Sequence, residues 1–475
     1  MNQIRKNNSF FILFLIIFTS FIFAGANVQA KEISLEEALN WGIENNSSIK
    51  EIKDNIETVE RSLNLIDTEY GFKTKISANP IIAGDSSITT NDESSSSESS
   101  DGSKISLNTT KLFPNGLILQ SEISLKEEDL FNLEKLSEGP KSTFSTTKSL
   151  YPVLPIKSEQ EKYLASNNLL KARENLTWQQ EYKKIEFLES FFNLLRLQER
   201  LSLAKTNFQY AQEDLNKILK KIEIGEAGEK QEIEARIALK KAEINFLQAQ
   251  NTFLQEKNGW YLNLNLPEET EASLLGDSPF LEEIIKWADS LEFNLKEEGL
   301  MELAVDNYYR IRNILLDQDN SQKEAEWNLT KNKPQVGLFG AYNSKNNSWG
   351  IGIDLSYDIF DGGKQKIEDE GYQAKLENLK DDYLQIVSEL ILELSGLINQ
   401  QEINSLNLEE KLMSWEKAKL EEESYQIQLQ QGLISDSEFQ YKMLEWQELE
   451  INLKSAKDEI LINKLRIAHF LGIRK

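Results

Sequence analysis

The chain is an internal duplication, in which two stretches about 207 residues apart match without a gap. Residues 211–267 align with residues 418–474, so that Gly225 corresponds to Gly432. Repeats of solenoid proteins are only about 20–50 residues long, so a period this large indicates one structural unit used twice. Whatever fold the first unit adopts, the second must adopt a closely related one.

Earlier parts of the two units also correspond. Leu35–Trp41 (LEEALNW) is similar to Leu281–Trp287 (LEEIIKW), at a larger offset of about 246 residues. The difference between the offsets gives the first unit about forty extra residues. We therefore divide the chain into a leader at residues 1–30, a first repeat at 31–278 and a second repeat at 279–475.

The leader has the composition of a secretory signal peptide. Arg5 and Lys6 precede an apolar run from Phe10 to Ala24, and Val28-Gln29-Ala30 provides the small residues of a cleavage site. We expect the exported chain to begin near Lys31. With no cysteine in the sequence, the chain has no disulfide framework and is not expected to be a lipoprotein.

The chain is strongly acidic, with 53 Lys and Arg against 78 Asp and Glu. This balance argues against a nucleic-acid partner, which would require clustered cations. After the leader, no run approaches the ~18 apolar residues of a membrane-spanning helix, so membrane insertion would require β-strands.

Long helices are predicted where proline is absent. All eight prolines lie between Pro80 and Pro334, leaving proline-free intervals at 156–266 and 335–475. Because proline breaks helix interiors, each interval can hold long helices, and Gly225 and Gly432 interrupt them at equivalent points. Each repeat therefore predicts a helical hairpin, whose first helix, residues 158–224, would extend for about 100 Å.

Alternating residues predict strands just before each hairpin. From Trp349 to Ile359 every second residue is apolar or aromatic, the pattern of a transmembrane β-strand, and Val336–Tyr342 is its expected partner. The first repeat has strand patterns at 74–83 and 143–151, and a serine-rich segment, 84–103, expected to be a mobile loop. An extra hairpin at 104–125 either joins the same wall or folds elsewhere.

No catalytic, cofactor-binding or metal site is predicted, and we do not expect an enzyme. His469 is the only histidine and there is no cysteine, which excludes a His/Cys metal cluster of the chain's own residues. Gly350-Ile351-Gly352 and Asp361-Gly362-Gly363-Lys364 lack the spacing of nucleotide-binding loops. Glu421, Glu422 and Glu423 are interpreted as solvated charges of an exposed helix.

Three motifs resemble the TolC-like outer-membrane efflux protein family. The segment Leu355–Lys366 (LSYDIFDGGKQK) is similar to the family's strand-to-helix junction, with Phe360, Asp361, Gly362 and Gly363 at its centre. Ile224–Glu234 and Gln431–Gln440 resemble its glycine-led hairpin tips. The first repeat departs from the pattern, since Leu150–Ser158 (LYPVLPIKS) replaces the Phe-Asp-Gly-Gly junction with two prolines.

The resemblance implies a mostly α-helical homotrimer with a β-barrel in the outer-membrane lipid, continuing into a periplasmic α-helical barrel. It implies an exit duct for drug efflux or type I secretion, joined to a periplasmic adaptor protein and an inner-membrane pump or ABC transporter. The residues expected to dock the adaptor are Gly225, Glu226, Ala227, Gly228, Gly432, Leu433, Ile434 and Ser435. The residues expected at a periplasmic gate are Glu438, Tyr441, Glu232 and Glu234.

Physical reasoning also favours assembly, because four to six strands cannot close a barrel and open edges are not tolerated in lipid. Three copies would supply twelve strands, or eighteen if the extra hairpin joins. An alternative hypothesis is an exported structural coiled coil or adhesin-like protein. It explains the helices and the acidity but not the alternating strands.

Overall fold

The computed structural model of the chain describes residues 31–79, 104–126, 140–267, 270–291 and 299–474. The expected signal peptide at 1–30 and the expected serine-rich loop at 84–103 lie outside these residues. Within the described ranges, no helix combines the length and the apolar character needed to cross a membrane.

The described residues form nine α-helices and eight β-strands, each numbered in chain order within its own class. The helices are α1 Leu35–Asn45, α2 Ser47–Thr68, α3 Lys157–Glu223, α4 Glu229–Leu264, α5 Pro279–Ser290, α6 Gly299–Asn307, α7 Tyr309–Lys331, α8 Lys364–Gln430 and α9 Asp436–Phe470. The strands are β1 Lys31–Ile33, β2 Phe72–Asn79, β3 Lys104–Leu112, β4 Ile118–Lys126, β5 Lys141–Tyr151, β6 Thr270–Ala272, β7 Gln335–Asn343 and β8 Ser348–Ser356.

The long helices follow the sequence expectation closely. Both α3 and α8 contain 67 residues, and they begin 207 residues apart. At about 1.5 Å per residue each is about 100 Å long. The following helices, α4 and α9, contain 36 and 35 residues. The helices of the two repeats therefore have nearly the same lengths and begin at equivalent positions.

The chain divides into two compact units, and each unit draws on both sequence repeats. The first comprises the described part of Met1–Glu51, together with Thr177–Asn307 and Leu390–Lys475. The second comprises Ile52–Leu176 and Tyr308–Glu389. Each repeat contributes most of its helical hairpin to the first unit, and to the second unit it contributes strands and the beginning of its 67-residue helix.

The core of the first unit surrounds Trp260 of α4. Its indole is almost fully buried and donates a hydrogen bond to the carbonyl of Phe187 at 3.2 Å. Phe191 and Leu264 are also completely buried, and each such side chain contributes about 1.5–3 kcal/mol of stability. Gly42 of α1 allows close packing here, because a Cβ atom would lie 2.3 Å from a methyl group of Leu264.

The second unit contains a six-stranded antiparallel sheet with the order β2-β3-β4-β5-β7-β8. The extra hairpin, β3 and β4, lies inside this sheet, between β2 and β5, as the first of the two interpretations expects. Within this sheet, β2 and β8 are the two edge strands, each unpaired on one side among the described residues. The pairing of β5 with β7 joins the two sequence repeats in one sheet.

One strand boundary differs from the sequence pattern. Alternation continues to Ile359, but β8 ends at Ser356, which pairs with Gln335, the first residue of β7. Beyond that point the neighbouring strand offers no further backbone groups, so the ladder stops. Tyr357 and Ile359 lie in the connection to α8 and are exposed.

Candidate functional site

The two sides of the six-stranded sheet differ sharply in chemistry. Residues paired across antiparallel strands share a face, as do alternate residues of one strand. The pairs Trp349–Tyr342, Tyr342–Phe144 and Ile353–Leu338 therefore mark one face. The remaining large apolar residues on that face are Phe72, Ile76, Ile105, Leu107, Leu119, Ile123, Leu125, Val336, Ile351 and Leu355.

The opposite face is mostly polar, although Leu112, Ile118 and Phe339 also lie on it. It carries Lys73, Lys75, Ser77, Ser106, Asn108, Thr110, Gln120, Glu122, Ser124, Thr143, Ser145, Thr147 and Asp354. On the apolar face Trp349, Ile351, Ile353 and Leu355 are at least 70 % exposed. A sheet with an exposed apolar face and a polar reverse face matches the wall of a lipid-embedded pore.

Two cations interrupt the apolar face near one end. Lys111 donates a hydrogen bond to the carbonyl of Tyr70 and lies over the ring of Phe72, 4.9 Å from its centroid. Lys148 pairs with Leu338 across β5 and β7. A long side chain of this kind can hold its charge outside an apolar layer while its methylene groups pack against apolar neighbours.

The junction between β8 and α8 is formed by the segment Phe360–Gly363. Asp361 accepts hydrogen bonds from the backbone N–H groups of Gly363 at 2.9 Å and Gln365 at 2.7 Å, so it caps the helix start. Gly362 and Gly363 have φ angles of 72° and 87°, which side chains with a Cβ atom rarely adopt. Phe360 is exposed. This chemistry explains why an Asp-Gly-Gly sequence stands here.

The first helix turn connects α3 to α4 through residues 224–228. Gly225 has a φ of 80°, and the N–H of Glu226 donates to the carbonyl of Lys221 at 2.7 Å. Gly228 donates its backbone N–H to the side chain of Gln231 at 3.0 Å. Ala227 lies between these contacts and also donates to the Lys221 carbonyl. The turn is thus closed by local hydrogen bonds.

The second helix turn connects α8 to α9 in the same way. Gly432 has a φ of 68°, and the N–H of Leu433 donates to the carbonyl of Gln428 at 2.9 Å. Ser435 and Glu438 form a capping box, in which each side chain accepts a hydrogen bond from the other's backbone N–H at 3.2 Å. Leu433 is 69 % exposed. An exposed leucine at a helix turn is suited to a protein contact.

The acidic residues expected at a gate have identifiable neighbours within one chain. Glu438 serves the capping box, Glu232 pairs with Arg236 at 2.6 Å, and Glu234 lies 3.7 Å from Lys230. The three carboxylates do not converge on one another in a single chain, and a shared ring would require other copies.

Tyr441 is held against the first hairpin. Burial, followed by the charge of Asp214 and a hydrogen bond to it, raises the pKa of Tyr441 to about 12. Ser437 donates to the same Asp214 at 2.6 Å, and Lys217 contacts both, at 3.2 Å from Asp214 and 3.0 Å from Ser437. Sequence reasoning missed Asp214, because its contacts with Ser437 and Tyr441 join the two repeats and no local sequence pattern specifies them.

Further from the turns, α3 and α9 are joined by charged pairs. Arg196 donates to Asp458 at 2.7 Å and to Glu199 at 2.6 Å, and Lys454 lies 3.1 Å from Glu199. Burial raises the pKa of Asp458 to about 6, although the charge of Arg196 opposes the shift. Within the ranges that the structure describes, no group of three or more acidic or histidine residues could hold a metal ion.

This arrangement of a two-faced sheet and paired helical hairpins is the fold of the TolC-like outer-membrane channels. The structure is similar to the Campylobacter jejuni CmeC outer membrane channel, with a TM-score of 0.62 and 12% sequence identity over 92% of this chain and 85% of that one. It is also similar to the open state of the Neisseria gonorrhoeae MtrE outer membrane channel, with a TM-score of 0.59 and 14% identity over 95% and 94% of the two chains.

A third similar structure is the outer membrane protein VceC from Vibrio cholerae, with a TM-score of 0.58 and 13% identity over 92% of this chain and 96% of that one. By sequence, the chain matches neither a protein-family model nor a curated protein. At these identities the likeness establishes the fold. Since each alignment covers most of both chains, the shared fold is not confined to one unit.

Proposed function

We propose that this protein is the outer-membrane exit channel of a tripartite efflux or type I secretion system. The observation that carries the proposal is the register of the sheet, which collects apolar side chains from all six strands on one exposed face. Such a face is stable in contact with lipid and costly in contact with water. The polar reverse face supplies a wall along which hydrated solutes pass.

Closure of the sheet into a barrel requires other copies of the chain. Strands β2 and β8 are each unpaired on one side in the described sheet, and backbone groups left unpaired in lipid cost several kcal/mol each. Pairing β8 of one copy with β2 of the next satisfies both edges. A homotrimer closed in this way has eighteen strands, six from each chain.

The remaining partners follow from the length and chemistry of the hairpins. Helices of about 100 Å are suited to crossing the periplasm, and their turns present the exposed Leu433. In the proposed system these turns bind a periplasmic adaptor protein, which connects the channel to an inner-membrane pump or ABC transporter. Export by the signal peptide and anchoring by the barrel alone, without a lipid-modified cysteine, agree with the sequence.

The proposal is tested by solubility, mass and conductance of matched variants. The wild-type protein should require detergent for extraction, form a trimer in mild detergent and conduct ions in a planar bilayer. Ile353→Lys places a charge on the apolar face and should abolish insertion, because a lysine at the bilayer midplane costs about 2–4 kcal/mol. Asp354→Lys, on the adjacent polar face, is the control and should still insert.

The alternative, an exported structural coiled coil or adhesin-like protein, predicts different results for extraction and for the two variants. It should be extracted in water without detergent, and Ile353→Lys and Asp354→Lys should then behave alike. A water-soluble wild-type protein, or a stable monomer embedded in lipid, would overturn the channel proposal.

A further inference from the structure

Among its described residues, the apolar face of the six-stranded sheet carries charge at two positions. These are Lys111 on β3 and Lys148 on β5. Charged residues elsewhere in the sheet, such as Lys75 and Asp354, lie on the polar face. A lysine that faces lipid is strongly destabilising at the bilayer midplane and nearly neutral at the interface with water. In a lipid-embedded wall, both lysines must therefore lie at the boundary of the hydrocarbon layer.

Both lysines lie at the end of the sheet from which the helices continue. Lys111 pairs with Phe72, the first residue of β2, which follows α2. Lys148 lies near the end of β5, which leads into α3. In the proposed channel the helices extend into the periplasm, so this end of the sheet meets the periplasmic leaflet of the outer membrane. The boundary of that leaflet is a layer of phospholipid phosphate groups.

The register places the two lysines at one depth of a tilted wall. Lys111 is opposite Leu119, which is opposite Thr146, and Lys148 is two residues further along β5. The two Cα atoms are therefore displaced by about 6.8 Å along the strands and about 9.6 Å across them. The line that joins them makes an angle of about 35° with the perpendicular to the strands, and strands of barrels are tilted by about 35–45°. Both cations thus reach the same level of the leaflet.

Neither ammonium group is neutralised within the part of the chain that the structure describes. Lys111 donates a hydrogen bond to the carbonyl of Tyr70 and lies 4.9 Å and 5.6 Å from the ring centroids of Phe72 and Phe113. An ammonium has three N–H donors, so two remain for another acceptor. The ammonium of Lys148 has no ion pair or hydrogen bond with the described residues. Both groups can therefore bind an anion from outside the chain.

The surface between the two cations is suited to a lipid. The displacements along and across the strands separate the two Cα atoms by about 12 Å, a distance that two flexible lysine side chains can span by converging on one anion. Leu119, which is 42 % exposed, and Thr146 lie between them. No carboxylate lies on the described part of this face to compete for the cations. An anion that also carries apolar chains matches both features.

We propose that Lys111 and Lys148 together bind the phosphate group of one phospholipid in the periplasmic leaflet. The acyl chains of this lipid lie on the apolar face, from Leu119 toward Phe144. This inference rests on the proposed membrane channel and adds a lipid site to it. Lysine binds phosphate as a point charge, so the site recognises the phosphate and not the group attached to it. Phosphatidylethanolamine and phosphatidylglycerol should both bind.

The first test compares ligands on the full-length oligomer, purified in detergent and freed of lipid. Native mass spectrometry counts bound lipids and gives their dissociation constants. The probes are phosphatidylglycerol, phosphatidylethanolamine, a diacylglycerol with the same chains, and glycerol phosphate. The two phospholipids should bind more tightly than the other two probes, because only they combine the phosphate with acyl chains. Equal binding of diacylglycerol, or of glycerol phosphate, would overturn the proposal.

The second test uses matched variants. Lys111→Gln/Lys148→Gln should weaken phosphatidylglycerol binding roughly thirty-fold, or about five-fold for each lysine. Lys73→Gln/Lys75→Gln removes the same charge from the polar face of the neighbouring strand β2 and should leave binding unchanged. The variant Lys111→Arg/Lys148→Arg keeps both charges and should keep binding. Equal weakening by the two glutamine pairs would show general attraction of charges and contradict a site.

Oligomer yield in detergent shows whether each variant folds. Since Lys111 also contacts the Tyr70 carbonyl, Lys148→Gln alone is the variant that disturbs no hydrogen bond or ion pair among the described residues. It should fold as the wild type does and weaken phosphatidylglycerol binding about five-fold. Unchanged binding by this variant would overturn the two-lysine site.

Failure of this inference is distinguishable from failure of the proposed function. A wild-type protein that inserts and conducts ions, but binds phosphatidylglycerol and diacylglycerol alike, would retain the channel and lose the lipid site. A protein that binds phospholipid through both lysines but conducts no ions in a bilayer would retain the lipid site and lose the channel.

Discussion

Ser437 donates a hydrogen bond of 2.6 Å to Asp214, joining the first turn of α9 to α3 near the end of the first hairpin. Lys217 lies within 3.2 Å of Asp214, and Tyr441 is buried against the same carboxylate. One acidic residue of the first repeat therefore holds the start of the second repeat's last helix.

Replacing Asp214 by alanine should loosen the first turn of α9. A hydrogen bond to a charged group contributes about 1.5–3 kcal/mol, so hydrogen exchange of the amides near Ser437 and Tyr441 should accelerate about ten-fold or more. Tyr441→Phe keeps the ring contact with Tyr210 and should have a smaller effect in the same direction. Glu213→Ala, at the exposed neighbouring position, should leave exchange unchanged, and acceleration by this control would contradict the assignment.

Glu438 is predicted to contribute to an acidic ring at the entrance, in addition to its observed capping role. Glu438→Gln separates the two roles, since glutamine also completes a capping box while removing the charge. If the carboxylates of several copies converge, the variant should lose cation preference and block by divalent ions in single-channel recordings.

The matched control for Glu438→Gln is Glu423→Gln, which removes an exposed charge from α8. It should leave ion preference unchanged. Should Glu438→Gln show wild-type selectivity and divalent block, Glu438 is a helix cap and does not line the entrance.

The helix turns are predicted to bind the adaptor. Leu433→Asp with Ile434→Asp should abolish export without lowering the yield of trimer, because Leu433 is exposed and contributes little to the fold of one chain. Trimer yield from membranes and export in cells measure the two effects separately. Continued export by the double variant would show that the turns only reverse the chain.

Two buried groups, Asp458 and His469, are expected to make the stability of the first unit depend on pH in opposite directions. Burial raises the pKa of Asp458 from 3.8 to about 6, so the folded state holds the proton more tightly and stability falls as pH rises through that window. Burial lowers the pKa of His469 from 6.5 to about 4, so the unfolded state holds the proton more tightly and stability rises with pH.

Single variants should unmask each effect, since each changes stability by up to about 1.4 kcal/mol per pH unit. As the pH rises from 4 to 6, the stability of Asp458→Asn should increase relative to that of the wild type. Over the same pH range, the stability of His469→Phe should decrease relative to that of the wild type. Thermal melting of the oligomer at several pH values measures both. Parallel pH profiles for the three proteins would contradict the assignment of these shifts.

Much of the fold is readable from the sequence because it depends on local and periodic signals. The glycines at 225 and 432 fix the turns, and the absence of proline permits 67-residue helices. The alternation from Trp349 onward identifies β8, although its end depends on where β7 begins. The equivalence of the two repeats then supplies the pairing of the helices.

Contacts between distant residues were less predictable. The bond from Ser437 to Asp214 joins groups 223 residues apart, and nothing in the local sequence around either residue specifies the partner. The capping role of Glu438 could be predicted from the sequence Ser435-x-x-Glu438, which has the spacing of a capping box. The place of β3 and β4 in the sheet required the observed register, since alternation alone fits a hairpin folded elsewhere.

The extra hairpin should determine the width of the proposed pore. In the described sheet β3 pairs with β2 along eight residues and β4 pairs with β5 along seven, so the hairpin is an integral part of the wall. Its apolar residues Leu107 and Ile123 pair on the same face as Ile76. Deleting residues 103–126 should let β2 pair directly with β5, reducing eighteen strands to twelve in a trimer.

Because barrel diameter grows roughly in proportion to strand number, the shortened protein should form a narrower barrel. Single-channel conductance should fall if the barrel is the narrowest part of the pore. When polyethylene glycols of graded size are added from the outer side, the smallest polymer that the pore excludes should be smaller than for the wild type, whether or not the barrel limits the current. A control deletion confined to residues 86–99, within the serine-rich segment, should leave polymer exclusion unchanged. Assembly of the 103–126 deletion with wild-type polymer exclusion would show that β3 and β4 do not line the pore.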